Sequence, residues 1–317
     1  MTFYCDMGDS VMKRVVVTGA DGFVGSAVVA QLRGLGHDVL AIVRNPAVKH
    51  DMHGAQLLVL DLDDIEQLSQ RVDSQWDIVI HLAWRDTYGA ARKDIQRQMH
   101  NISDFYRCMA AAAEIGCKRF VGIGTIMELE HSFDLPDGTK YRARQDYIYA
   151  LTKMLTHASL FSETKKYGMD GVWCTLTNVY GVGDESSRLV NYVINSLLTG
   201  VEPRFSKGTQ MYDFVYITDV ARAIADVALK GLSYDDYLIG SGSAAPLRNF
   251  LETIRCHLAP QMEFRYGDMP GAGPNLPPDV FSIRKLCEHT GYRPQVSFEK
   301  GIQLLYDWMK ERSGSVC

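Results

Sequence analysis

The stretch of sequence that decides the fold is RVVVTGADGFVGSAVVAQLR, residues 14–33. The apolar residues 15–17 predict a buried strand, and residues 25–33 have the pattern of a helix that Gly34 and Gly36 end. Between them lie three glycines with the spacing G-x-x-G-x-x-G. A strand, a tight turn and a helix start in direct succession predict a phosphate site, because the unpaired N–H groups of a first helical turn attract anions.

The three glycines have separate predicted roles in such a turn. Gly19 supplies a positive φ, Gly22 lets the backbone approach a ligand, and Gly25 lets the helix pack against the strand. Phe23 and Val24 begin the helix and offer their N–H groups to the anion. The spacing differs from the common G-x-G-x-x-G, and glycines also mark ordinary strand-to-helix turns. The flanking strand and helix favour the interpretation as a dinucleotide site.

The composition is that of a globular protein in a reducing compartment. Of the 317 residues, 46% are apolar and 22% are charged, and the net charge of −5 gives no general affinity for nucleic acid. The seven cysteines form no C-x-x-C pair or ligand cluster, so we assign no metal ligands. Residues 1–9 lack the apolar core of a signal peptide, and no apolar run approaches the roughly 18 residues of a membrane span. We therefore expect a cytoplasmic protein without membrane partners.

Apolar runs at regular intervals predict the rest of the sheet. Further strands are predicted at residues 38–43, 57–60, 78–82, 120–123 and 172–176, with helices between them at 64–72, 95–115 and 147–167. Asp219 is predicted to cap a later helix. This alternation is typical of an α/β fold with a doubly wound parallel sheet. Because ligands of such sheets bind beyond the carboxyl ends of the strands, the residues that follow each strand are the site candidates.

Three of these strand ends suit a dinucleotide. Arg44 follows the second strand, where an NAD site usually has a carboxylate, and its guanidinium suits the 2′-phosphate of NADP, which we predict over NAD. Asp61 and Leu62 follow the third strand and suit the edge and the face of an adenine ring. Leu82 and Ala83 follow the fourth strand, where a small side chain leaves room for a cofactor. The alternatives are a solvated arginine for Arg44 and a helix N-cap for Asp61.

A threonine, a tyrosine and a lysine form a candidate reaction centre. Thr125 follows the fifth strand, where its hydroxyl can donate to a carbonyl oxygen, although most such threonines bond to nearby backbone. Tyr149 and Lys153 lie four residues apart on the next predicted helix and therefore share a face. An ammonium group near the phenol lowers the phenol's pKa from about 10 and favours proton exchange. Alone, such a pair is usually a surface packing pair.

Taken together, these residues resemble the extended short-chain dehydrogenase/reductase family over nearly the whole chain. The order and approximate spacing match for the glycine turn, for the strand ends, and for Thr125 with the Tyr-x-x-x-Lys pair. The runs NVYG at 178–181 and FVYITDVA at 214–221 resemble the branch of nucleotide-sugar epimerases, dehydratases and ketoreductases. The resemblance implies a Rossmann dinucleotide-binding domain at 12–178, joined by about 209–240, and a smaller C-terminal substrate lobe from 179–208 and 241–317.

The resemblance also implies a role for each matching residue. Tyr149 would be the acid/base of the reacting sugar oxygen, Thr125 would hydrogen-bond the same oxygen, and Lys153 would hold the nicotinamide ribose and lower the phenol's pKa. Asn101 matches a helix asparagine that organises the family's site, with an ordinary buried amide as its alternative. Asn178 matches a residue that contacts the substrate's diphosphate. The helices at 95–115 and 147–167 match a four-helix contact and imply a homodimer.

Departures from the family pattern narrow the choice of reaction. Ile126 and Met127 occupy the places of the Asp-Glu pair that sugar 4,6-dehydratases need to eliminate water, so we do not expect dehydration. Thr175 and Tyr212 stand where the family often has arginines for the phosphates. Arg188 is the candidate replacement, and its alternative is a surface charge at a helix start.

The sequence supports one leading hypothesis with three alternatives. NADPH would reduce the 4-keto carbon of a nucleotide-linked deoxysugar while Tyr149 supplies the proton. The alternatives are a nucleotide-sugar epimerase with retained NAD, a non-catalytic NADP(H)-binding protein, and a reductase of small lipid or phenolic carbonyls. Trp84, Met127 and Tyr212 can line a pocket for either kind of substrate. The choice of NADPH depends on Arg44, because an epimerase keeps its NAD and a net reductase must exchange its cofactor.

Overall fold

The computed structural model describes residues 11–47, 50–73, 75–133, 147–269 and 276–314 of the chain. Its strands are β1 (Arg14–Thr18), β2 (Asp38–Val43), β3 (Gln56–Val59), β4 (Ile78–His81), β5 (Arg119–Thr125), β6 (Asp170–Leu176), β7 (Asn178–Tyr180), β8 (Arg204–Phe205), β9 (Met211–Tyr212), β10 (Phe214–Tyr216), β11 (Asp235–Ile239), β12 (Ala245–Pro246) and β13 (Arg265–Tyr266). Its α-helices are α1 (Phe23–Gly34), α2 (Leu68–Arg71), α3 (Ile95–Glu114), α4 (Met127–Phe133), α5 (Ile148–Lys166), α6 (Leu189–Thr199), α7 (Ile217–Lys230), α8 (Leu247–Leu258), α9 (Arg284–Thr290) and α10 (Phe298–Gly314). Short 3-10 turns cover Leu62–Gln67, Ala90–Lys93 and Pro278–Phe281. No helix within these ranges is both long enough and apolar enough to cross a membrane.

Seven of the strands form one parallel sheet in the order β3-β2-β1-β4-β5-β6-β11. β1 lies between β2 and β4, with Val15 beside Val39 on one side and Ile78 on the other. The chain therefore moves outward in one direction through β2 and β3, and in the other through β4, β5 and β6. The direction changes beside β1, which is where ligands of such sheets bind. The predicted doubly wound parallel sheet is confirmed.

Helices bury the sheet on both faces, which explains its continuous apolar strands. Val15 and Val17 pack with α1 and α7 on one face, and Val16 packs with α3 and α5 on the other. All three valine side chains are fully buried. Parallel strands that are covered on both faces have unbroken apolar sequences, as these do. The glycine turn that follows β1 is thereby attached to a fully buried strand.

The remaining strands form two-stranded pairs outside the main sheet. β7 pairs with β10 in parallel, β9 pairs with β12 in antiparallel fashion, and β8 pairs with β13 in parallel. β11, from the segment 209–240, lies in the main sheet beside β6. The division of the chain into a dinucleotide-binding domain and a C-terminal substrate lobe stays a prediction.

Two local predictions are wrong. The helix predicted at 64–72 is a 3-10 turn, Leu62–Gln67, followed by the short α2, and Asp64 inside that turn has non-helical backbone angles (φ −114°, ψ 15°). Asp219 does not cap α7 but lies inside it, since the helix begins at Ile217. Its buried carboxylate instead accepts the N–H groups of Gln295 and Val296 at 3.0 and 2.9 Å. Asp219 thereby ties α7 to the C-terminal segment.

Candidate active site

A cleft of about 1250 Å³ opens at the carboxyl ends of the central strands. Every predicted site residue except one lines this cleft: Gly19, Gly22, Phe23, Val24, Gly25, Arg44, Asp61, Leu62, Leu82, Ala83, Trp84, Thr125, Tyr149, Lys153, Asn178 and Arg188. The exception, Asn101, is buried in α3 with an exposed fraction of 1%. The structure thus brings residues from all parts of the predicted dinucleotide-binding domain to one place.

Geometry requires glycine at two of the three positions in the turn. Gly19 has φ +67°, and a Cβ there would lie 2.8 Å from the backbone nitrogen of Ala83. A Cβ at Gly25 would lie 2.1 Å from the carbonyl oxygen of Gly19, so Gly25 packs against the turn itself rather than against β1. Gly22 has an ordinary φ of −82° and is the N-cap of α1, to which it offers no side chain. The first turn of α1 is therefore available to an anionic group in the cleft.

Arg44 and Asp61 line the cleft after β2 and β3 and differ in their contacts. The Arg44 side chain is exposed and pairs with no carboxylate of the residues that the structure describes. Asp61 Oδ1 accepts the N–H of Asp63 at 3.1 Å and pairs with Arg85 at 2.6 Å. Asp61 is thus the N-cap of the 3-10 turn Leu62–Gln67, as its alternative interpretation predicts. Oδ2 of the same carboxylate makes no hydrogen bond within the described ranges.

Arg85, which was not predicted, connects Asp61 with Asn101. Its backbone N–H donates to Asn101 Oδ1 at 2.8 Å, and its carbonyl accepts from Asn101 Nδ2 at 2.9 Å. Its guanidinium contacts Asp61, Asp63 and the buried Asp104. Asn101 therefore fixes the loop after β4 and, through Arg85, the carboxylate of Asp61. Nothing in the local sequence around Arg85 indicates these contacts, because all of them are with residues distant in the chain.

Thr125, Tyr149 and Lys153 come together at the carboxyl end of β5. Tyr149 and Thr125 both line the cleft, and Tyr149 is 8% exposed. Lys153 Nζ donates to the carbonyl oxygen of Ile123 at 2.7 Å and lies 3.5 Å from the centre of the Trp84 ring system. Trp84 also meets the ring of Tyr149 edge to face, with 6.4 Å between ring centres. The phenol and the ammonium group are thus both held at the cleft wall by specific neighbours.

Burial dominates the proton affinities at this centre. It raises the pKa of Tyr149 to about 12, against the opposing charges of Arg188 and Arg92. Burial lowers the pKa of Lys153 to about 7, against the opposing charge of Glu128. The pKa of the phenol therefore lies above its usual value, contrary to the expectation that Lys153 would lower it. The reason is that the Lys153 ammonium is turned to a carbonyl and an aromatic face, while the two arginines are the main cations acting on the phenol.

A buried carboxylate that sequence reasoning missed supports Thr125 from the protein interior. Glu128 Oε1 accepts the Thr125 N–H at 2.7 Å, and Oε2 lies 3.0 Å from His157 Nδ1. A Cβ on Gly124 would lie 2.3 Å from Oε1, so the carboxylate occupies the space that another residue would need. The signal was present as the pattern Thr-x-x-Glu at 125–128, a capping box in which the Glu side chain returns to the first backbone N–H.

Two predicted substrate contacts, Asn178 and Arg188, lie after β6, and an arginine that was not predicted lies in the loop after β4. Asn178 begins β7, and its Nδ2 donates to the carbonyl oxygen of Asp213 at 3.2 Å. Arg188 is the N-cap residue of α6, and among the charged groups it has the largest effect on the pKa of Tyr149, which it lowers. Arg92, which was not predicted, belongs to the turn Ala90–Lys93, and its Cζ lies 5.9 Å from the centre of the Tyr149 ring. Its local sequence does not distinguish it from a surface arginine.

The parallel sheet, the glycine turn and the Thr-Tyr-Lys cluster define an NAD(P)-dependent oxidoreductase of the short-chain dehydrogenase/reductase type. Residues 15–240 match the model of the NAD dependent epimerase/dehydratase family. The chain belongs to this family.

Known proteins align with most of the chain. CDP-abequose synthase of Salmonella typhimurium is 25% identical over 92% of this chain and 96% of its own length. The dTDP-6-deoxy-L-talose 4-dehydrogenase (NAD(+)) of Aggregatibacter actinomycetemcomitans is 27% identical over 67% of this chain and 79% of its own length. The solved structure of the Bordetella bronchiseptica enzyme WbmF with NADH has a TM-score of 0.75 at 19% identity and covers 97% of this chain and 94% of that one. This structural similarity shows the shared fold.

The cleft fits the dinucleotide for which the family is named. Gly19 and Gly25 keep free the backbone space that a Cβ would fill, and the first turn of α1 carries no acidic side chain that would repel a pyrophosphate. Leu82 and Ala83 line the cleft after β4 without adding charge. A nicotinamide dinucleotide is therefore the cofactor class of this site.

Proposed function

We propose that the protein uses NADPH to reduce a keto group, the 4-keto group of a nucleotide-linked deoxysugar, with Tyr149 as the proton donor. The observation that carries this proposal is the state of Tyr149: its buried phenol lines the cleft together with Thr125, and burial raises its pKa to about 12. At neutral pH such a phenol keeps its proton, which is the form that a carbonyl oxygen needs when its carbon is reduced. The cofactor supplies the hydride.

The other residues of the reaction centre position the carbonyl oxygen and the cofactor. Thr125 hydrogen-bonds the same oxygen as Tyr149, and its place is set by the buried carboxylate that accepts its N–H. Lys153 holds the nicotinamide ribose from α5, with its Nζ at the carbonyl oxygen of Ile123 in β5. Asn101 acts indirectly, because its amide fixes the backbone of Arg85 in the loop after β4.

The dinucleotide is proposed to lie along the ends of β1, β2, β3 and β4. The turn residues 19–25 hold its pyrophosphate at the start of α1. Asp61 and Leu62 contact the edge and the face of the adenine, and Leu82 and Ala83 contact its middle portion. These assignments use residues that line one continuous cleft.

The preference for NADP is proposed from Arg44. Its exposed guanidinium, unpaired within the described ranges, suits a 2′-phosphate. The Aggregatibacter relative is named for NAD(+) and the WbmF structure contains NADH, so the proposal concerns this chain alone. Fluorescence titrations with NADPH and NADH test it. Tighter binding of NADPH that Arg44→Ala abolishes supports it, and preferred binding of NADH that Arg44→Ala leaves unchanged contradicts it.

A nucleotide sugar is the proposed substrate because the relatives that align with this chain are named for CDP-linked and dTDP-linked sugars. One of them is named as a 4-dehydrogenase of a 6-deoxysugar. Ile126 and Met127 line the cleft where dehydratases carry an acid pair, which favours reduction over elimination of water. Asn178 and Arg188 are the proposed contacts of the diphosphate.

A thermal-shift panel of UDP, CDP, dTDP and GDP in the presence of NADP⁺ tests the substrate class. A nucleotide-sugar enzyme should respond to one base more than to the others. A response to none would favour the reductase of small lipid or phenolic carbonyls, because such a substrate carries no nucleotide.

Turnover of the matching 4-keto sugar nucleotide tests the mechanism. Tyr149→Phe should abolish oxidation of NADPH and leave the affinity for NADPH unchanged, and unaltered turnover would refute the role of Tyr149. Conversion between epimers without net oxidation of NADPH would identify a nucleotide-sugar epimerase with retained NAD. Cofactor binding without turnover of any substrate would identify a non-catalytic NADP(H)-binding protein.

We also propose a homodimer through α3 and α5. Ile95 and Met99 lie one turn apart on α3 and are 55% and 56% exposed, and Leu155 on α5 is 52% exposed. Large exposed apolar side chains that lie close together mark interaction surfaces. Light scattering of the purified protein should give the mass of a dimer, and Met99→Lys with Leu155→Glu should give a monomer. A monomeric wild type contradicts this part of the proposal.

A further inference from the structure

Trp84 lies between the two residues that carry the proposed reaction. It belongs to the loop after β4 and lines the cleft. Lys153 Nζ lies 3.5 Å from the centre of its ring system, and the ring of Tyr149 meets it edge to face with 6.4 Å between ring centres. The proposed reaction gives Trp84 no task, although the indole contacts both residues.

The indole of Trp84 is fixed by a buried amide on α3. Its Nε1 donates to Gln98 Oε1 at 2.9 Å, and Gln98 Nε2 donates to the carbonyl oxygen of Asp86 at 3.1 Å. Asn101 Nδ2 donates to the same Gln98 oxygen at 3.3 Å. Gln98 is 0% exposed, and both ends of a buried amide need such partners. The amide therefore holds the indole in one orientation.

The ammonium group of Lys153 is buried and has few polar partners. Lys153 is 5% exposed, and its Nζ makes one hydrogen bond within the described ranges, to the carbonyl oxygen of Ile123 at 2.7 Å. Burial lowers the pKa of Lys153 to about 7, the charge of Glu128 opposes this shift, and His81 nearby stays neutral with a pKa of about 3. A cation close to the face of an indole is attracted by the ring, so Trp84 compensates part of the lost hydration.

We propose that Trp84 is a positioning residue for Lys153: its indole holds the ammonium against the carbonyl of Ile123 and directs the remaining N–H group toward the cofactor. An ammonium group has three donors. The carbonyl takes one and the indole covers a second side, which leaves one for a ribose hydroxyl. The ribose contact rests on the proposed function, whereas the contact between indole and ammonium does not.

Tryptophan fluorescence of the free protein against pH tests the contact without any ligand. The signal of Trp84 is the difference between the wild type and Trp84→Phe, because His157 stacks on Trp173 at 4.7 Å and gives the total emission a second dependence on pH. We expect this difference to change with a midpoint near pH 7, where Lys153 loses its charge. The change should disappear when both proteins also carry Lys153→Met. A Trp84 signal that does not vary with pH, or that varies equally without Lys153, overturns the proposal.

Titration with NADPH at pH 7 tests whether the contact serves the cofactor. Trp84→Leu should weaken binding between about two-fold and thirty-fold, the range expected for the loss of one cation–π contact. Trp84→Phe keeps an aromatic face and should retain part of the affinity. Trp308→Leu is the matched control, because Trp308 packs against Arg312 at 4.9 Å on α10 and does not line the cleft; its affinity should equal that of the wild type.

A double-mutant cycle separates an effect through Lys153 from direct contact with the cofactor. In the Lys153→Met background, Trp84→Leu should change the affinity for NADPH little, since the group through which it acts is gone. An equal loss in both backgrounds would assign Trp84 to the cofactor itself and overturn the positioning role, and so would tighter binding by Trp84→Leu, which would mean that the indole blocks the ammonium. If the wild type binds neither NADPH nor NADH, the proposed function fails, and the fluorescence titration still decides whether Trp84 holds Lys153.

Discussion

The close contact between Gly25 and Gly19 makes Gly25→Ala the sharpest test of the glycine turn. A Cβ at position 25 would lie 2.1 Å from the Gly19 carbonyl oxygen, whereas favourable contacts lie at about 3.5 Å, so the turn must move by roughly 1 Å. Gly19 has little freedom to yield, because its φ is +67° and it packs against Ala83. Overpacking costs about 1–3 kcal/mol, and the better helix propensity of alanine returns at most about 1 kcal/mol. We expect a net loss of about 1–2 kcal/mol in the free energy of unfolding.

Urea unfolding and titration with NADPH measure both consequences of this substitution. The displaced carbonyl belongs to the turn that is proposed to hold the pyrophosphate, so the affinity for NADPH should fall about ten-fold, the equivalent of about 1.4 kcal/mol. Gly34→Ala is the control, because Gly34 ends the same helix and a Cβ there meets no atom within 4 Å. Its stability and affinity should stay close to those of the wild type. If Gly25→Ala matches the wild type in both measurements, the packing argument for the turn is refuted.

Three further substitutions test other parts of the site. The pKa of Lys153 is about 7 in the folded protein, so between pH 7 and about 10 the folded protein releases a proton that the unfolded chain still holds. The free energy of unfolding should therefore rise with pH in this window. Urea unfolding curves should show this rise for the wild type and a flatter dependence for Lys153→Met. Glu128→Gln keeps an acceptor for the Thr125 N–H but removes the negative charge, so we expect about 1 kcal/mol less stability. Because the Glu128 charge raises the pKa of Lys153, its removal should also make the rise in stability begin at a lower pH. The same pH dependence of stability as in the wild type would contradict this. Asn101→Ala should raise the KM for the cofactor with little effect on kcat, because the amide fixes Arg85; a loss confined to kcat would show that the amide acts on the chemistry instead.

Most of the central sheet was predictable because β1, β2, β4 and β6 are buried almost throughout and are therefore apolar. The prediction at 38–43 coincides with β2, whose residues are nearly all buried. β11 was missed because it lies at the edge of the sheet, reads DDYLI and buries only Tyr237 and Ile239. The helix predicted at 64–72 is a 3-10 turn followed by the short α2, and the apolar pattern alone does not distinguish these two types of helix. Local pattern therefore predicts strands whose sequence is apolar, including β3 with its mostly exposed residues, and fails where a strand begins with charged residues, as β11 does.

Site residues were predictable where a strand end places them, and unpredictable where a contact between distant segments does. Thr125 and Asp61 follow strands, so their presence in the cleft follows from the topology of a parallel sheet. Arg85 acquires its role through contacts with residues distant in the chain, among them Asn101, 16 residues away on α3. Arg92 acquires its role through the approach of its turn to the ring on α5. The direction of the phenol's pKa shift was also beyond sequence reasoning, because it depends on how deeply the side chain is buried.

The charges around Tyr149 are arranged so that the phenol is protonated before a substrate arrives and its anion is stabilised afterwards. Burial raises its pKa to about 12, so an incoming carbonyl oxygen meets a phenol and not a phenolate. Lys153, with a pKa of about 7, is partly neutral at physiological pH and contributes less to stabilising the anion than the arginines do. An enzyme that began by oxidising an alcohol would need the phenolate first, and in this cleft that anion is unfavourable without further positive charge. The raised pKa of Tyr149 therefore supports the proposed reduction of a keto group.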